Sequence, residues 1–292
     1  MEWARKHQGI LLALPAIVLI VIFKIYPLIN GVLMSFTSSS QGVGTKVFVG
    51  MNNYVKLFSD KIFLNSLLNI VKAVLVIPIF VIVPLLVAFI IHKRCWGWSF
   101  FRATYFFPYL LPPVMVGYMF SFVLGPNGPV NSILISIGLE KLAINWFGHQ
   151  SIALFSILAV ILWSWFGLGT ITYLASMSTI PDELFESAIL DGAKSRQLLW
   201  YITIPSIIPT IGYWTVLVTT SFFIGLFPYI FALTEGGPGY ATMMPEYYVY
   251  LVATRYLDAG YASAIGVVLF LFIFILAMLQ IRYMYTGSQD DV

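Results

Sequence analysis

The chain has 292 residues, of which 60% are hydrophobic and only 9% are charged. Soluble domains carry about 25% charged residues, and a soluble fold of this composition would expose more apolar surface than monomers tolerate. The net charge of +3, without a basic tract, excludes a nucleic acid partner, and the single Cys95 excludes an internal disulfide framework. We therefore predict an all-α, polytopic membrane protein that is in contact with lipid.

Six apolar segments are long enough to cross a bilayer, which requires about 20 residues. They cover residues 10–36, 63–91, 104–124, 151–177, 202–227 and 262–284. The first exceeds the apolar region of a signal peptide and no small-x-small cleavage site follows it, so we interpret it as an uncleaved span. Pro78 and Pro84 in the second segment, and Pro108, Pro112 and Pro113 in the third, predict kinks whose freed carbonyls find partners inside a helix bundle.

An N-in, C-in topology puts most Lys and Arg residues of the connections on the inside, as the positive-inside rule requires. The inside residues are then Arg5, Lys6, Lys93, Arg94, Arg102, Lys194, Arg196 and Arg282, and the outside residues are Lys46, Lys56, Lys61, Lys141 and Arg255. We predict that residues 1–292 form a single transmembrane domain with this topology.

The longest charged passage, residues 179–200, separates the fourth and fifth apolar segments on the inside. We predict a helix–turn–helix, with Thr179 as the N-cap of the first helix and Asp182 at capping-box spacing. Gly192 would supply the left-handed residue that ends this helix, and the second helix would begin near Lys194. Such a passage is longer than two adjacent spans need, so we interpret it as a docking surface for a soluble partner.

The sequence carries no pattern for catalysis, metal binding or ion coupling. All twelve acidic residues can be assigned to loops or tails, whereas ion-coupled transporters usually hold ionisable groups at membrane depth. No phosphate-binding loop is present, so the chain itself does not bind ATP. No metal-ligand cluster and no nucleophile–base pair is present either. Energy for uphill transport would therefore enter from another subunit through residues 179–200.

The charged passage resembles the EAA loop of permease subunits of binding-protein-dependent ABC importers. The resemblance rests on Glu186-Ser-Ala-x-x-Asp191-Gly192-Ala193, followed by Leu199-Trp200-x-Ile202-Thr203-x-Pro205. The departures are mild: Ser187 replaces Ala, Leu199 replaces Phe and Ile204 replaces Leu. Further likeness to the carbohydrate branch, which includes the maltose and glycerol-3-phosphate permeases, lies at Phe48-Val-Gly50 with Asn53-Tyr54, Pro108-Tyr109, Gly128 with Asn131, and Leu233-Thr-x-Gly-Gly-Pro238. The last of these is typical of the first of two paired permeases.

The resemblance implies a type I ABC importer permease core of six helices in a bacterial or archaeal cytoplasmic membrane. It implies a second homologous permease, two copies of a cytosolic ATPase that bind ATP and Mg, and an extracytoplasmic solute-binding protein. The chain itself would hold no cofactor and would not be an enzyme. It would move a sugar or oligosaccharide by alternating access.

The resemblance also implies two groups of site residues in this sequence. The residues of the cytosolic EAA coupling helix that couple it to the ATPase would be Phe185, Glu186, Ala188, Ile189, Asp191, Gly192 and Ala193. Among them, Glu186 would supply the contact and Gly192 the turn, whereas the apolar side chains would supply packing. The sugar path would be lined by Trp163, Trp165, Leu168, Thr219, Phe223 and Leu226. Aromatic faces suit pyranose rings, although helix packing or interface anchoring is an equally open interpretation of Trp163, Trp165 and Trp214.

Two other classes of function are compatible with a polytopic membrane protein. An autonomous secondary transporter or channel for a small polar solute would call for an internal repeat and an intramembrane ion site. A membrane-embedded enzyme would need a nucleophile or a metal set. The sequence shows neither pattern, so both are weaker hypotheses than the ABC permease.

Overall fold

A computed structural model describes residues 12–38, 47–92 and 98–287, and this part of the chain is mainly helical. Four helices are long and apolar enough to cross a membrane. Two further pairs of helices, each bent at a short break, bring the number to six if each pair is one span. Each of the six apolar segments predicted from the sequence overlaps one of these helices or pairs over most of its length. Cys95, Arg5, Lys6, Lys46, Lys93 and Arg94 lie outside the described residues.

The first half of the chain begins with a long helix that contains one π-helical turn, Val21–Ile25. Its elements are α1 (Leu12–Met34), β1 (Thr37–Ser38), β2 (Val47–Phe48), α2 (Asn52–Ser59), α3 (Lys61–Val74), α4 (Ile77–His92), α5 (Trp98–Leu110), α6 (Pro113–Val123) and α7 (Pro129–Ser136). The two strands pair antiparallel, with Thr37 opposite Phe48 and Ser38 opposite Val47. The axes of α5 and α6 meet at 108°.

The second half contains the fourth to sixth predicted spans. After a 3-10 turn at Glu140–Leu142, its helices are α8 (Ala153–Met177), α9 (Asp182–Leu190), α10 (Ser195–Ser206), α11 (Ile208–Ile224), α12 (Phe227–Leu233), α13 (Pro245–Thr254) and α14 (Ala259–Gly287). Helices α10 and α11 meet at 75°. The helices α12 and α13 lie where the sequence predicted only a turn-rich loop, because its Gly-Gly-Pro signal covers a short part of that connection.

The described part of the chain divides into two compact units, and the first contains residues 12–38, 47–63 and 248–272. In this unit the buried Asn53 side chain donates hydrogen bonds to the carbonyl oxygens of Ser35, at 2.8 Å, and Thr37, at 2.9 Å. Its neighbour Tyr54 contacts the Ser35 hydroxyl at 2.6 Å through its own hydroxyl oxygen. The Asn-Tyr pair of the sequence motif thus attaches α2 to the end of α1.

A second polar cluster in this unit is centred on Asp60, between α2 and α3. One carboxylate oxygen accepts hydrogen bonds from the hydroxyl groups of Tyr248, at 2.5 Å, and Tyr261, at 2.6 Å. The other oxygen accepts hydrogen bonds from the backbone N–H groups of Ile62 and Phe63, at the start of α3. Burial raises the pKa of Asp60, but these hydrogen bonds outweigh that effect and leave the pKa below its ordinary value.

The second unit contains the described residues 64–92, 98–247 and 273–287, and its core depends on a proline in α4. Pro84 lies inside α4 and has no N–H, so the carbonyl of Phe80, four residues earlier, loses its helical donor. The indole Nε1 of Trp214 donates to this oxygen at 2.9 Å, and the Trp214 side chain is only 1% exposed. The expectation that a freed carbonyl finds a partner inside the bundle is confirmed here. Pro78 lies in the first turn of α4, directly after the two-residue interruption between α3 and α4.

Helix α8 lies at the centre of the second unit because two of its glycines permit close packing. At Gly167, a Cβ atom would overlap the backbone carbonyl oxygen of Tyr105 in α5. At Gly169, a Cβ atom would lie 2.6 Å from the Trp214 ring and 2.9 Å from Pro84. The absence of side chains at these positions lets α8 contact α4, α5 and α11.

Replacement of Gly167 by Ala tests this packing. The added methyl group meets backbone that cannot rotate away, so we expect a loss of about 1–3 kcal/mol in stability. The matched control is Gly212→Ala in α11, where a Cβ atom would meet nothing within 4 Å. That control should be neutral or stabilising by up to about 1 kcal/mol, because Ala favours helix more than Gly. Thermal unfolding in detergent measures both, and equal midpoints would contradict the close approach of α5 and α8.

Candidate coupling surface and translocation path

The predicted helix–turn–helix is present as α9 and α10, but its first cap differs from the prediction. Helix α9 begins at Asp182 with Pro181 at the N-cap position and no side-chain capping hydrogen bond. The Thr179 hydroxyl instead donates to the carbonyl of Ser176 at 2.8 Å, in the last turn of α8. The predicted cap by Thr179 was therefore wrong, because this side chain belongs to the end of the preceding helix. The acids Asp182 and Glu183 still lie in the first turn of α9, where the helix dipole favours negative charge.

The turn after α9 is the left-handed glycine turn that the sequence predicted. Gly192 has φ +85°, its N–H donates to the carbonyl of Ile189 at 2.9 Å, and the N–H of Ala193 donates to that of Ala188 at 2.9 Å. These two bonds form a Schellman motif, which satisfies the last carbonyls of the helix. A Cβ atom on Gly192 would meet nothing within 4 Å, so the backbone conformation alone selects glycine here.

Helix α9 presents apolar and acidic side chains together at the surface. Leu184, Ile189 and Leu190 are 49%, 57% and 88% exposed, and the acids Glu186 and Asp191 are also exposed. Ala188, Asp191, Gly192 and Ala193 help to line a groove of about 360 Å³ between α9 and α10. An uncovered apolar surface rimmed by charge is typical of a protein interaction site.

Phe185 faces the opposite way and attaches α9 to the membrane-spanning helices. Its ring lies 5.5 Å from the ring of His92, at the end of α4, and the residue is half-buried. The resemblance implied a packing role for Phe185 in the coupling helix, and in the structure its ring packs within its own chain. This contact connects the coupling surface directly to the helix that holds Pro84 and Phe80.

The predicted sugar-path residues of α8 point to different neighbours. The Trp163 ring packs edge-on against Phe120 in α6, with 5.1 Å between ring centroids. The Trp165 indole N–H donates to the hydroxyl of Tyr229 in α12 at 3.2 Å, and that hydroxyl donates to Ser164 at 3.1 Å. The two tryptophans therefore do not line one common surface in this conformation. Leu168, on the same helix, is half-buried.

The remaining predicted path residues are packed away from solvent in this conformation. Thr219, Phe223 and Leu226 are 8%, 4% and 0% exposed. The Thr219 hydroxyl donates to the carbonyl of Thr215 at 2.7 Å, one turn earlier in its own helix. Trp165 contacts the rings of Phe80 and Phe222, both at 6.3 Å, so an aromatic cluster lies between α4, α8 and α11.

Sequence reasoning missed Glu246, which it assigned to a loop. This residue lies in the first turn of α13, and its carboxyl group accepts hydrogen bonds from the backbone N–H groups of Leu226 and Phe227, at the break between α11 and α12. The oxygen Oε1 is buried and has no hydrogen-bond partner in the described part of the chain. Burial raises the pKa of Glu246 to about 8, and the two backbone bonds offset part of that rise. Its position directly after Pro245, within an apolar stretch, was the available signal.

The Gly-Gly-Pro connection between α12 and α13 is held by side chains of α3. Asn69, which is fully buried, donates to the carbonyl oxygens of Tyr240 and Met243, both at 3.0 Å. Lys72, one turn along α3, donates to the Asn69 side-chain oxygen at 3.1 Å. The segment that follows the Gly-Gly-Pro motif is thus attached to a membrane-spanning helix. Among residues 12–38, 47–92 and 98–287, no three His, Cys, Asp or Glu side chains come together as metal ligands.

Comparison with known proteins identifies the family. Residues 54–285 match the family described as binding-protein-dependent transport system inner membrane component. The chain belongs to this family. The permease is 33% identical over 284 residues to the probable ABC transporter permease protein YurN of Bacillus subtilis, covering 96% of this chain and 97% of that one. It is 30% identical over 281 residues to the multiple sugar-binding transport system permease protein MsmF of Streptococcus mutans, covering 95% of each.

The fold of the permease also matches a solved structure. One chain of a bacterial alginate ABC transporter superimposes on the permease with a TM-score of 0.82. That transporter was crystallised in complex with an alginate pentasaccharide-bound periplasmic protein. That match covers 99% of this chain and 96% of the other at 24% identity, so it supports the fold alone. The type I permease architecture predicted from the sequence is confirmed.

Membership of the family decides between the classes of function left open by the sequence. The permease is a translocation component of an ABC transport system in the cytoplasmic membrane and is not an enzyme. An autonomous secondary transporter and a membrane-embedded enzyme are not retained as alternatives.

Glu246 predicts a specific pH dependence of stability. Its carboxyl binds a proton more tightly in the folded permease, where the pKa is about 8, than in the unfolded chain, where it has the ordinary value of 4.5. Folding therefore takes up a proton between these two values, and the stability of the wild type should fall as the pH rises through this window. Glu246→Gln removes the titration but keeps an acceptor, so its thermal midpoint should depend less on pH.

The exposed Glu140 supplies the matched control, because Glu140→Gln removes an acid from another extramembrane segment. This variant should show the same pH profile as the wild type in thermal unfolding. Identical profiles for the wild type and Glu246→Gln would contradict the buried, protonated carboxyl.

Proposed function

We propose that the permease is a subunit of an ATP-driven ABC importer for sugars or oligosaccharides. The observation that carries this proposal is the similarity of 30% over 95% of the chain to MsmF, a permease of a multiple sugar-binding transport system. The structural similarity to an alginate transporter also supports a carbohydrate substrate. Aromatic side chains on α8 and α11 suit this substrate class, because sugar rings stack on aromatic faces.

The proposed assembly contains a second homologous permease and two copies of a cytosolic ATPase, which bind ATP and Mg. An extracytoplasmic solute-binding protein delivers the sugar. Residues 1–292 act as one transmembrane domain with both termini inside, and residues 179–200 form its cytosolic coupling element. The family, whose transport systems depend on binding proteins, supports these partners.

The coupling step uses the two faces of α9. The exposed side, with Glu186, Ile189 and Asp191, docks on the ATPase, and the turn at Gly192 and Ala193 sets the angle of the next helix. On the other side, Phe185 transmits the displacement to α4 through its contact with His92. Ala188 lies between the two sides and lines the groove beside α10. Closure of the ATPase dimer would move α9 and thereby the helices that enclose the sugar.

The sugar path runs between α8, α11 and α12 in this proposal. Trp165, Thr219 and Phe223 would line it, together with Trp163, Leu168 and Leu226. Several of these side chains are buried against one another here, so alternating access must separate them before a sugar can pass. The Trp165–Tyr229–Ser164 hydrogen-bond chain is then the polar contact that opens, and sugar hydroxyls would replace it.

A substrate panel tests the sugar class. The transporter, reconstituted with its binding protein, should hydrolyse ATP faster in the presence of at least one neutral oligosaccharide. Amino acids and short peptides, which other binding-protein-dependent importers could carry, should leave the basal rate unchanged. Stimulation by amino acids alone, with every carbohydrate inactive, would refute the sugar assignment and leave the family intact.

Two substitutions at Gly192 test the coupling role. Val is strained in the left-handed conformation, by about 1–3 kcal/mol, whereas Asn adopts it more readily. We expect Gly192→Val to abolish most transport while ATP hydrolysis continues, because the turn no longer directs α9 on to the ATPase. Gly192→Asn should retain much of the transport. Vesicle uptake and ATPase rates measure both.

The two Gly192 variants should insert into the membrane equally well, because a Cβ atom at this position meets no neighbouring atom. Equal amounts of both in membrane fractions provide the control. Wild-type uptake by Gly192→Val would rule out a role for this turn in coupling.

A further inference from the structure

Helix α10 is strongly inclined to the membrane-spanning helix that follows it. It meets α11 at an angle of 75°, at the break around Ile207. Because α11 crosses the membrane, α10 lies much closer to the membrane plane than to the membrane normal. A short amphipathic helix in this orientation is typical of the membrane–water interface.

The two faces of α10 differ in burial. Leu198 and Leu199 are 5% and 8% exposed, and Thr203 on the same side is fully buried. On the other side, Trp200 is 56% exposed and Tyr201 is 79% exposed. Trp and Tyr rings are enriched at the level of lipid headgroups, because they combine an apolar ring with a polar edge.

A groove of about 420 Å³ lies on this outer face, lined by Arg196, Gln197, Trp200 and Tyr201. No acid lines it, and within the described residues Arg196 has no ion pair or hydrogen bond from its side chain. Asp191 lines the neighbouring groove beside α9, which shares Gln197 and Tyr201 with the outer groove. The outer groove therefore combines one unpaired guanidinium, an amide and two aromatic rings.

We propose that this groove binds the headgroup of an anionic phospholipid in the leaflet on the coupling side. The guanidinium of Arg196 donates to phosphate oxygens in the forked geometry that suits them. The rings of Trp200 and Tyr201 lie beside the glycerol and the first carbons of the acyl chains. A lipid bound here anchors α10 in the interface, so that displacement of α9 acts on α11 and not on a freely moving helix.

The charge of the groove favours a lipid over the ATPase as its occupant. The surface assigned to the ATPase, on α9, carries the acids Glu186 and Asp191 together with exposed leucine and isoleucine side chains. The outer groove carries the positive charge of Arg196 and lies in the first half of α10, the helix that leads into the membrane-spanning α11. Inner leaflets rich in anionic lipid attract such cationic sites.

Native mass spectrometry of the purified full-length permease with phosphatidylglycerol and phosphatidylcholine tests the proposal. We expect the wild type to retain phosphatidylglycerol in preference to phosphatidylcholine, and inorganic phosphate not to compete. Arg196→Gln should weaken this binding about fivefold, the factor expected for one cation at an anionic surface. Tyr201→Ala should weaken it as well, without a change in charge.

Lys194→Gln is the matched control. It removes the same charge two residues away on the same side of the membrane, but Lys194 does not line the groove. Its phosphatidylglycerol binding should equal that of the wild type. Equal losses in Arg196→Gln and Lys194→Gln would show a general charge effect and overturn the site, as would the lack of any preference for phosphatidylglycerol.

The other possible occupant of the outer groove is the ATPase. The same lipid-binding measurement on the complex with the ATPase distinguishes the two. Retention of phosphatidylglycerol after addition of the ATPase subunit supports a lipid site, whereas its displacement would show that the groove is part of the ATPase interface. None of these measurements depends on the transported substrate, so their outcome is independent of the sugar assignment.

Discussion

In this permease a backbone carbonyl near Pro84 needs a hydrogen-bond donor where no water is available. The packing of the second unit supplies that donor. The proline leaves the Phe80 carbonyl without a helical donor inside a membrane-spanning helix, where an unpaired group costs several kcal/mol. Trp214, from α11, supplies that donor at 2.9 Å. Its large ring can reach α4 because Gly169, on the intervening helix, has no side chain. A proline, a tryptophan and a glycine that are far apart in the sequence thus act together around one carbonyl group. The proline removes its donor, the tryptophan replaces that donor, and the glycine leaves room for the tryptophan ring.

The region of α9 and α10 is shaped by a second constraint, since under the proposed coupling role one short helix contacts both a soluble partner and the membrane bundle. Helix α9 satisfies this constraint with two faces. Phe185 packs against His92 on one face, and Ile189 and Leu190 are exposed on the other. The Schellman turn at Gly192 then sends the chain into α10, which packs on the bundle through one face only. A lipid on the free face of α10 would supply the third support that this element otherwise lacks.

Much of this architecture could be predicted from the sequence, because its signals are local. Apolar length alone located the six spans, since crossing lipid requires an uninterrupted apolar helix wherever it packs. The glycine turn at Gly192 was predictable for a similar reason, as only a residue without Cβ adopts φ +85° without strain. The EAA-like motif located the coupling element, and the family match agrees with that assignment.

The direction of each side chain was decided only by tertiary structure. Trp163 and Trp165 lie two residues apart on one helix, yet one contacts α6 and the other α12. Glu246 had the polarity of a loop residue, yet it is buried against the break after α11. The sequence by itself determined which segments enter the membrane and where the chain turns, because hydropathy and φ are properties of single residues and short runs. Burial and hydrogen-bond partners depend on residues tens of positions away, so they arose only when the helices packed.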